Sequence, residues 1–144
     1  MRLSTRGQYG ARAMLDIAMN SEGGKPVQLR DIAQRQDIPE KYLERLIGAL
    51  RAAGLLRSMR GAQGGYLLNR PASEIRLSDI IEIVEGPISP VECVDSPDIC
   101  KRSNHCVARE IWDGLKQAVY DTLNAITLEK MTLMQKDKMA KGCH

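Results

Sequence analysis

Residues 39–70 read PEKYLERLIGALRAAG (39–54), LLRSMR (55–60), GAQGG (61–65) and YLLNR (66–70), and they decide the fold. Leu43, Leu46, Ile47 and Leu50 fall at i, i+3, i+4 and i+7, so a helix here has one complete apolar stripe. The opposite face holds Lys41, Arg45, Gly48 and Ala52, with Tyr42 and Glu44 on the flanks. Pro39 suits the first helical position, where its missing N–H would be unpaired anyway. Gly54 suits the C-terminal stop. Two strand-like runs follow, residues 55–60 and 66–70, joined by a Gly-rich link flexible enough for a hairpin tip.

Upstream, Gly10, Met14, Ile17 and Ala18 repeat at the spacing of one helical face, and the pattern stops in the turn cluster at 21–26. A second short helix puts Leu29, Ile32 and Ala33 inward and ends near Asp37. Downstream, Ser78 is placed to cap a helix running through Val84, and Gly86-Pro87 stops it. Residues 87–105 lack apolar periodicity and hold Pro87, Pro90 and Pro97, which reads as a loop in need of something to organise it. Helix returns near Cys106 with a stripe of Ile111, Leu115, Ala118, Val119 and Ile126. A short segment, residues 128–134, then precedes a Lys-rich tail. The expected fold is mainly α. A winged helix-turn-helix with a two-stranded wing fills 1–86, a cysteine-bearing loop 87–105, a long helix and a short terminal helix 106–134, and a flexible tail 135–144.

Three helices followed by a hairpin is the order of a winged DNA-binding unit, whose third helix enters the major groove. Residues 1–70 carry twelve Lys/Arg against six Asp/Glu, while residues 71–144 carry nine against twelve. Only the first half is therefore suited to face a polyanion. Arg57 and Arg60 near the wing tip are in reach of a phosphate or a minor groove, with Gln63 beside them in the tip. Glu44 is the exception on the groove face. It is repelled by phosphates, and gains only by accepting from a cytosine amino group; otherwise it is a solvated partner of Lys41 or Arg51. No apolar run approaches the roughly 18 residues of a membrane span, and the N-terminus is too polar for a secretory signal. The protein is read as cytoplasmic, with no membrane partner.

Four cysteines in a reducing compartment are not a disulfide framework. Three of them, Cys93, Cys100 and Cys106, fall within fourteen residues, which points to metal or redox chemistry. Soft thiolates converging from irregular backbone suit an iron–sulfur cluster. Zinc favours two close pairs, absent here, and redox-reactive thiols are a further possibility. Cys143, near the terminus, reads as incidental. A small electron-transfer or cluster-carrier protein is the competing class, its basic half docking an acidic partner; the wing and the third helix argue against it. No nucleophile–base set or P-loop supports an enzyme.

The stretches LSTRGQYG (3–10), YLERL (42–46), RGAQGGYL (60–67) and EGPISP (85–90) resemble the IscR-type family of bacterial regulators, which also includes the nitric-oxide sensor NsrR and the cysteine-metabolism regulator CymR. The resemblance spans nearly the whole chain. It implies a homodimer held by the long C-terminal helix and bound to a palindromic operator on double-stranded DNA. By position it puts Tyr42, Glu44 and Arg45 at the groove, Arg60 in the wing, and Ser4, Arg6 and Tyr9 near the phosphate backbone. It associates the acid at position 44 with choice between operator classes. It also implies a repressor of iron–sulfur assembly genes holding a 2Fe–2S cluster on the three cysteines, with a nitric-oxide or redox sensor as the runner-up. Two departures stand out. The first cysteine spacing is one residue longer than the usual five, and Arg109 replaces the family's histidine ligand. That leaves 4Fe–4S open, and the fourth ligand open among His105, Glu110 and Gln8 from the other subunit.

Overall fold

Three helices and a hairpin follow one another as the sequence predicts, in a computed structural model that describes residues 2–142. They are α1 (Thr5–Asn20), α2 (Leu29–Gln36), α3 (Glu40–Ala52), β1 (Leu56–Met59) and β2 (Gly65–Leu68). Then come α4 (Leu77–Glu85), a one-turn α5 (Glu92–Asp95), α6 (Val107–Asn124) and α7 (Leu128–Ala140). The architecture is a mainly α winged helix-turn-helix followed by a long helix and a terminal helix.

The core forms where the apolar stripes of α1, α2, α3 and α4 meet. Met14, Ile17, Ile32, Leu43, Ile47 and Ile80 are essentially inaccessible. One charge lies within this packing. Asp16 of α1 is buried, and its carboxylate accepts from Arg35 Nε at 3.0 Å, Arg35 Nη2 at 2.8 Å and Gln36 Nε2 at 2.9 Å. A buried carboxylate needs such partners, and these fix the end of α2 against α1. Asp37 then turns the chain at φ 53° into α3.

The wing is an antiparallel pair with Arg57 opposite Leu67 and Met59 opposite Gly65. Val27 adds a single bridge to Tyr66, exchanging bonds of 2.9 and 2.8 Å. The approach is close enough to require glycine: a Cβ on Gly65 would stand 2.5 Å from the Val27 carbonyl, and one on Gly64 2.2 Å from that of Met59.

Several local expectations are corrected. Pro39 precedes α3 as its N-cap, one residue earlier than expected. Ser78 does not cap α4; it is buried in the first turn, and the Asp79 carboxylate accepts from the Arg76 N–H at 3.0 Å instead. The expected loop at 87–105 contains α5 and single helical turns at 97–99 and 103–105. Ile126 lies past the end of α6, and its carbonyl accepts from the Leu77 N–H at 2.8 Å. The terminal helix does not stop at Met134. It continues through residues 135–140, where a flexible tail was expected; Cys143 lies outside the described residues. The Thr127 hydroxyl caps this helix by accepting from the Lys130 N–H at 3.1 Å, buried Leu128 anchors it, and Lys141 and Asp137 pair at 2.9 Å near its end.

Among the described residues, no helix is long and apolar enough to cross a membrane. No residue of α6 is fully buried within the chain. Ile111 and Leu115 of its apolar stripe remain 60% and 42% exposed, with Trp112 alongside at 39%.

Candidate nucleic-acid interface and thiol segment

The apolar stripe of α3 docks on the core, leaving Lys41, Glu44, Arg45 and Gly48 exposed on the other side. Arg6 at the start of α1, Arg57 on β1 and Arg60 at the wing tip are exposed as well, as is Gln63. Among the described residues none of these cations forms an ion pair, and neither does Glu44. Their charges are thus available to an external partner. The expected pairing of Glu44 with Lys41 or Arg51 is not formed; Arg51 donates to the Ser58 hydroxyl at 3.1 Å, tying α3 to the wing.

Ser4, Thr5, Arg6, Tyr42, Arg45 and Leu46 line one shallow cleft between the start of α1 and α3, bringing together four of the expected DNA-facing residues. Within it the side chains are partly committed. The Ser4 hydroxyl accepts from the Arg6 N–H at 3.1 Å as the N-cap of α1, and donates to Glu85. Tyr42 is half-buried, its hydroxyl 3.1 Å from that of Thr5 and its ring edge-on to Tyr9 at 5.7 Å. Arg12 stacks over Tyr9 at 5.4 Å. The two tyrosines therefore set the spacing of α1 and α3, while the cations beside them stay free. Sequence reasoning missed Thr5 and Glu85, although both lie inside stretches that carried the family resemblance.

Cys93 lies in α5, Cys100 follows the turn at 97–99, and Cys106 immediately precedes α6; all three are half-buried free thiols. Two contacts hold α5 to α6. Arg109 Nε donates to the Cys93 carbonyl at 3.0 Å, so the arginine at the expected histidine position anchors the backbone of the first cysteine. Lys116 pairs with Asp95 at 2.5 Å; this bond holds the Asp95 carboxyl below its ordinary value and the Lys116 ammonium above its own. Three soft thiol donors in one segment fit an iron–sulfur cluster in kind, one short of the four ligands such a cluster takes. They are not gathered within the single chain: among the described residues no three His, Cys, Asp or Glu side chains stand close enough to share a metal ion. His105 and Glu110 are exposed and do not complete such a set. Gln8 is exposed on α1, its amide donating to the Leu3 carbonyl at 3.3 Å.

A free basic helix face, a basic wing and an unburied apolar helix define a winged-helix DNA-binding regulator. Residues 3–133 match the family model described as Rrf2, iron-dependent transcriptional regulator. The chain belongs to this family, to which the relatives named IscR and CymR also lead. It is 45% identical to Protein rrf2 of Nitratidesulfovibrio vulgaris over 128 residues, covering 89% of this chain and 85% of the relative. The structure of CymR, the global cysteine regulator of B. subtilis, superposes with a TM-score of 0.77 at 39% identity, covering 93% of this chain and 98% of that one. T. potens IscR superposes with a TM-score of 0.75 at 38% identity, covering 97% and 90%. The protein is a transcription regulator and not an enzyme.

Proposed function

We propose that this regulator binds a palindromic operator as a homodimer and represses iron–sulfur assembly genes according to whether Cys93, Cys100 and Cys106 hold a cluster. The observation carrying this reading is the placement of three half-buried free thiols in one segment tethered to α6. The exposed apolar side chains Ile111, Trp112 and Leu115 of α6 form the surface through which two copies pair. A change in the thiol segment therefore acts where the two DNA-binding units are spaced. When bound, the cluster supplies a link among the three thiolates that oxidation, nitric oxide or iron shortage removes. That link and the operator affinity are two sides of one linkage.

The residues of this chain do the rest. Lys41 and Arg45 with Arg57 and Arg60 supply the phosphate and groove contacts. Glu44 penalises sites that offer no donor to its carboxylate. The segment's short turns let the thiols close on a shared ligand without unfolding the core. Arg109 cannot ligate iron, because its guanidinium stays protonated; the family resemblance favours 2Fe–2S, and the loss of the histidine makes 4Fe–4S the competitor.

The test is anaerobic reconstitution with iron and sulfide, followed by absorbance and EPR. Coloured protein is expected, with the colour lost in Cys93→Ala, Cys100→Ala and Cys106→Ala but kept in Cys143→Ala. Colourless protein, or colour that survives all three substitutions, overturns the cluster reading.

A further inference from the structure

The thiol-bearing segment leaves α4 at Glu85, and the side chain of that residue turns away from it, into the start of α1. Its Oε1 accepts from the Ser4 N–H at 2.9 Å, from the Gly7 N–H at 2.9 Å and from the Ser4 hydroxyl. The first N–H groups of a helix have no partner within it, and the helix dipole favours negative charge there. α1 has no acidic residue in its own first turn. The missing charge comes instead from the end of another helix. Gly7 makes room for it, since a Cβ there would stand 2.9 Å from Oε1. Desolvation pushes the Glu85 carboxyl up, but the Ser4 and Gly7 donors outweigh it and leave the group below its ordinary value.

The chain on either side extends this contact in both directions. Gly86 turns at φ 85°, and the N–H of buried Ile88 donates to the Tyr120 hydroxyl of α6 at 3.0 Å. At the other end Thr5 meets Tyr42 of α3, and Tyr42 meets Tyr9 of α1. A continuous run of contacts thus joins α6 and the base of the thiol segment to the helix that carries Lys41, Glu44 and Arg45.

We propose that Glu85 is a positioning residue for DNA binding, transmitting the placement of segment 87–106 to α1 and α3 without itself touching DNA. This rests on the reading of that segment as the sensing element. A cap that only stabilised α1 would lower the melting temperature on removal, and would leave unchanged the factor by which the thiol state alters DNA affinity.

The experiment uses full-length protein carrying Cys143→Ser, before and after alkylation of Cys93, Cys100 and Cys106 with iodoacetamide. Each thiolate displaces iodide and gains a carbamidomethyl group. Binding is read by fluorescence anisotropy on a duplex selected from random sequence by the wild-type chain. With Glu85 present, alkylation is expected to change the Kd by at least about fivefold, the lower end of ordinary coupling between sites. Glu85→Ala is expected to bind more weakly at the outset and to respond by less than about twofold. Glu85→Gln keeps an oxygen acceptor but loses its charge, roughly halving each bond, and should fall between. If Glu85→Ala does not melt cooperatively, Glu85→Gln is read instead, and a response clearly below that of the chain with Glu85 supports the proposal. A wild-type response retained in the substituted protein overturns the proposal, as does no response with Glu85 present. The cluster reading fails separately, through colourless reconstituted protein, because the alkylation response is measured without iron.

Discussion

Arg60→Ala tests the electrostatic part of the account quantitatively. Arg6, Lys41, Arg45, Arg57 and Arg60 are exposed and, among the described residues, unpaired, and they are the cations proposed to face DNA. If each neutralises one phosphate, a dimer releases about ten counterions, and log K against log salt has a slope near −9, at about 0.9 per phosphate. Removing Arg60 deletes two contacts per dimer and shallows the slope by about 1.8. The same arithmetic gives a loss of roughly 60-fold at about 0.1 M salt, shrinking to roughly 9-fold at about 0.3 M. Arg60 lies outside the strands and is exposed, so the melting temperature should not move. Anisotropy titrations of a selected duplex across a salt series measure both numbers. A loss independent of salt, or an unchanged slope, refutes phosphate neutralisation by the wing.

Glu44→Ala should tighten binding to unrelated duplexes while leaving the selected operator unchanged or weaker, reducing the specificity ratio about tenfold or more; one good base contact is worth about 1–3 kcal/mol. Equal factors on both duplexes, measured by competition, would make Glu44 an ordinary surface charge. Leu115→Glu places a carboxylate in the exposed stripe of α6, where burial of an unpaired charge is costly. Sedimentation should then show monomers that keep their helical circular dichroism; an intact dimer counts against α6 as the interface. The lowered carboxyl of Glu85 gives a pH signature. Its contribution to stability is present above the ordinary carboxylate value and is lost as pH falls through the lower folded value. Thermal melts should therefore fall less steeply in acid for Glu85→Gln than for wild type.

The parts of the fold legible in the sequence were those with short-range signatures. The stripe of Leu43, Leu46, Ile47 and Leu50 fixed α3 and, with it, which side chains face outward. Gly64 and Gly65 marked the hairpin because no side chain fits against Met59 and Val27 there. The terminal helix was legible only as far as its apolar residues, since the exposed Lys141–Asp137 pair in its last turns creates no stripe. Ser78 looked like a cap because its type fits one, yet it packs inward while Asp79 takes that place. The Asp16–Arg35 pair and the Glu85–Ser4 contact join distant segments, and no local pattern announces them. That Lys41 and Arg45 stand exposed on α3 was readable from type and helical face. The commitment of Ser4 and Tyr42 to internal contacts was not, because it depends on how α1 lies against α3 and α4. Clustering in sequence brought the three cysteines into one segment, but how near the thiols stand to one another depends on the turns between them, and among the described residues they are not gathered around a shared metal ion.

The central claim is that the state of these three thiols sets operator affinity. It is tested most directly by titrating the selected duplex, under anaerobic conditions, with iron- and sulfide-reconstituted protein and with the Cys93→Ala/Cys100→Ala/Cys106→Ala chain prepared alongside. The account predicts coloured wild-type protein whose Kd differs from that of the triple variant by about tenfold or more, within the ordinary range of coupling between sites. Identical titration curves for the two proteins would contradict it.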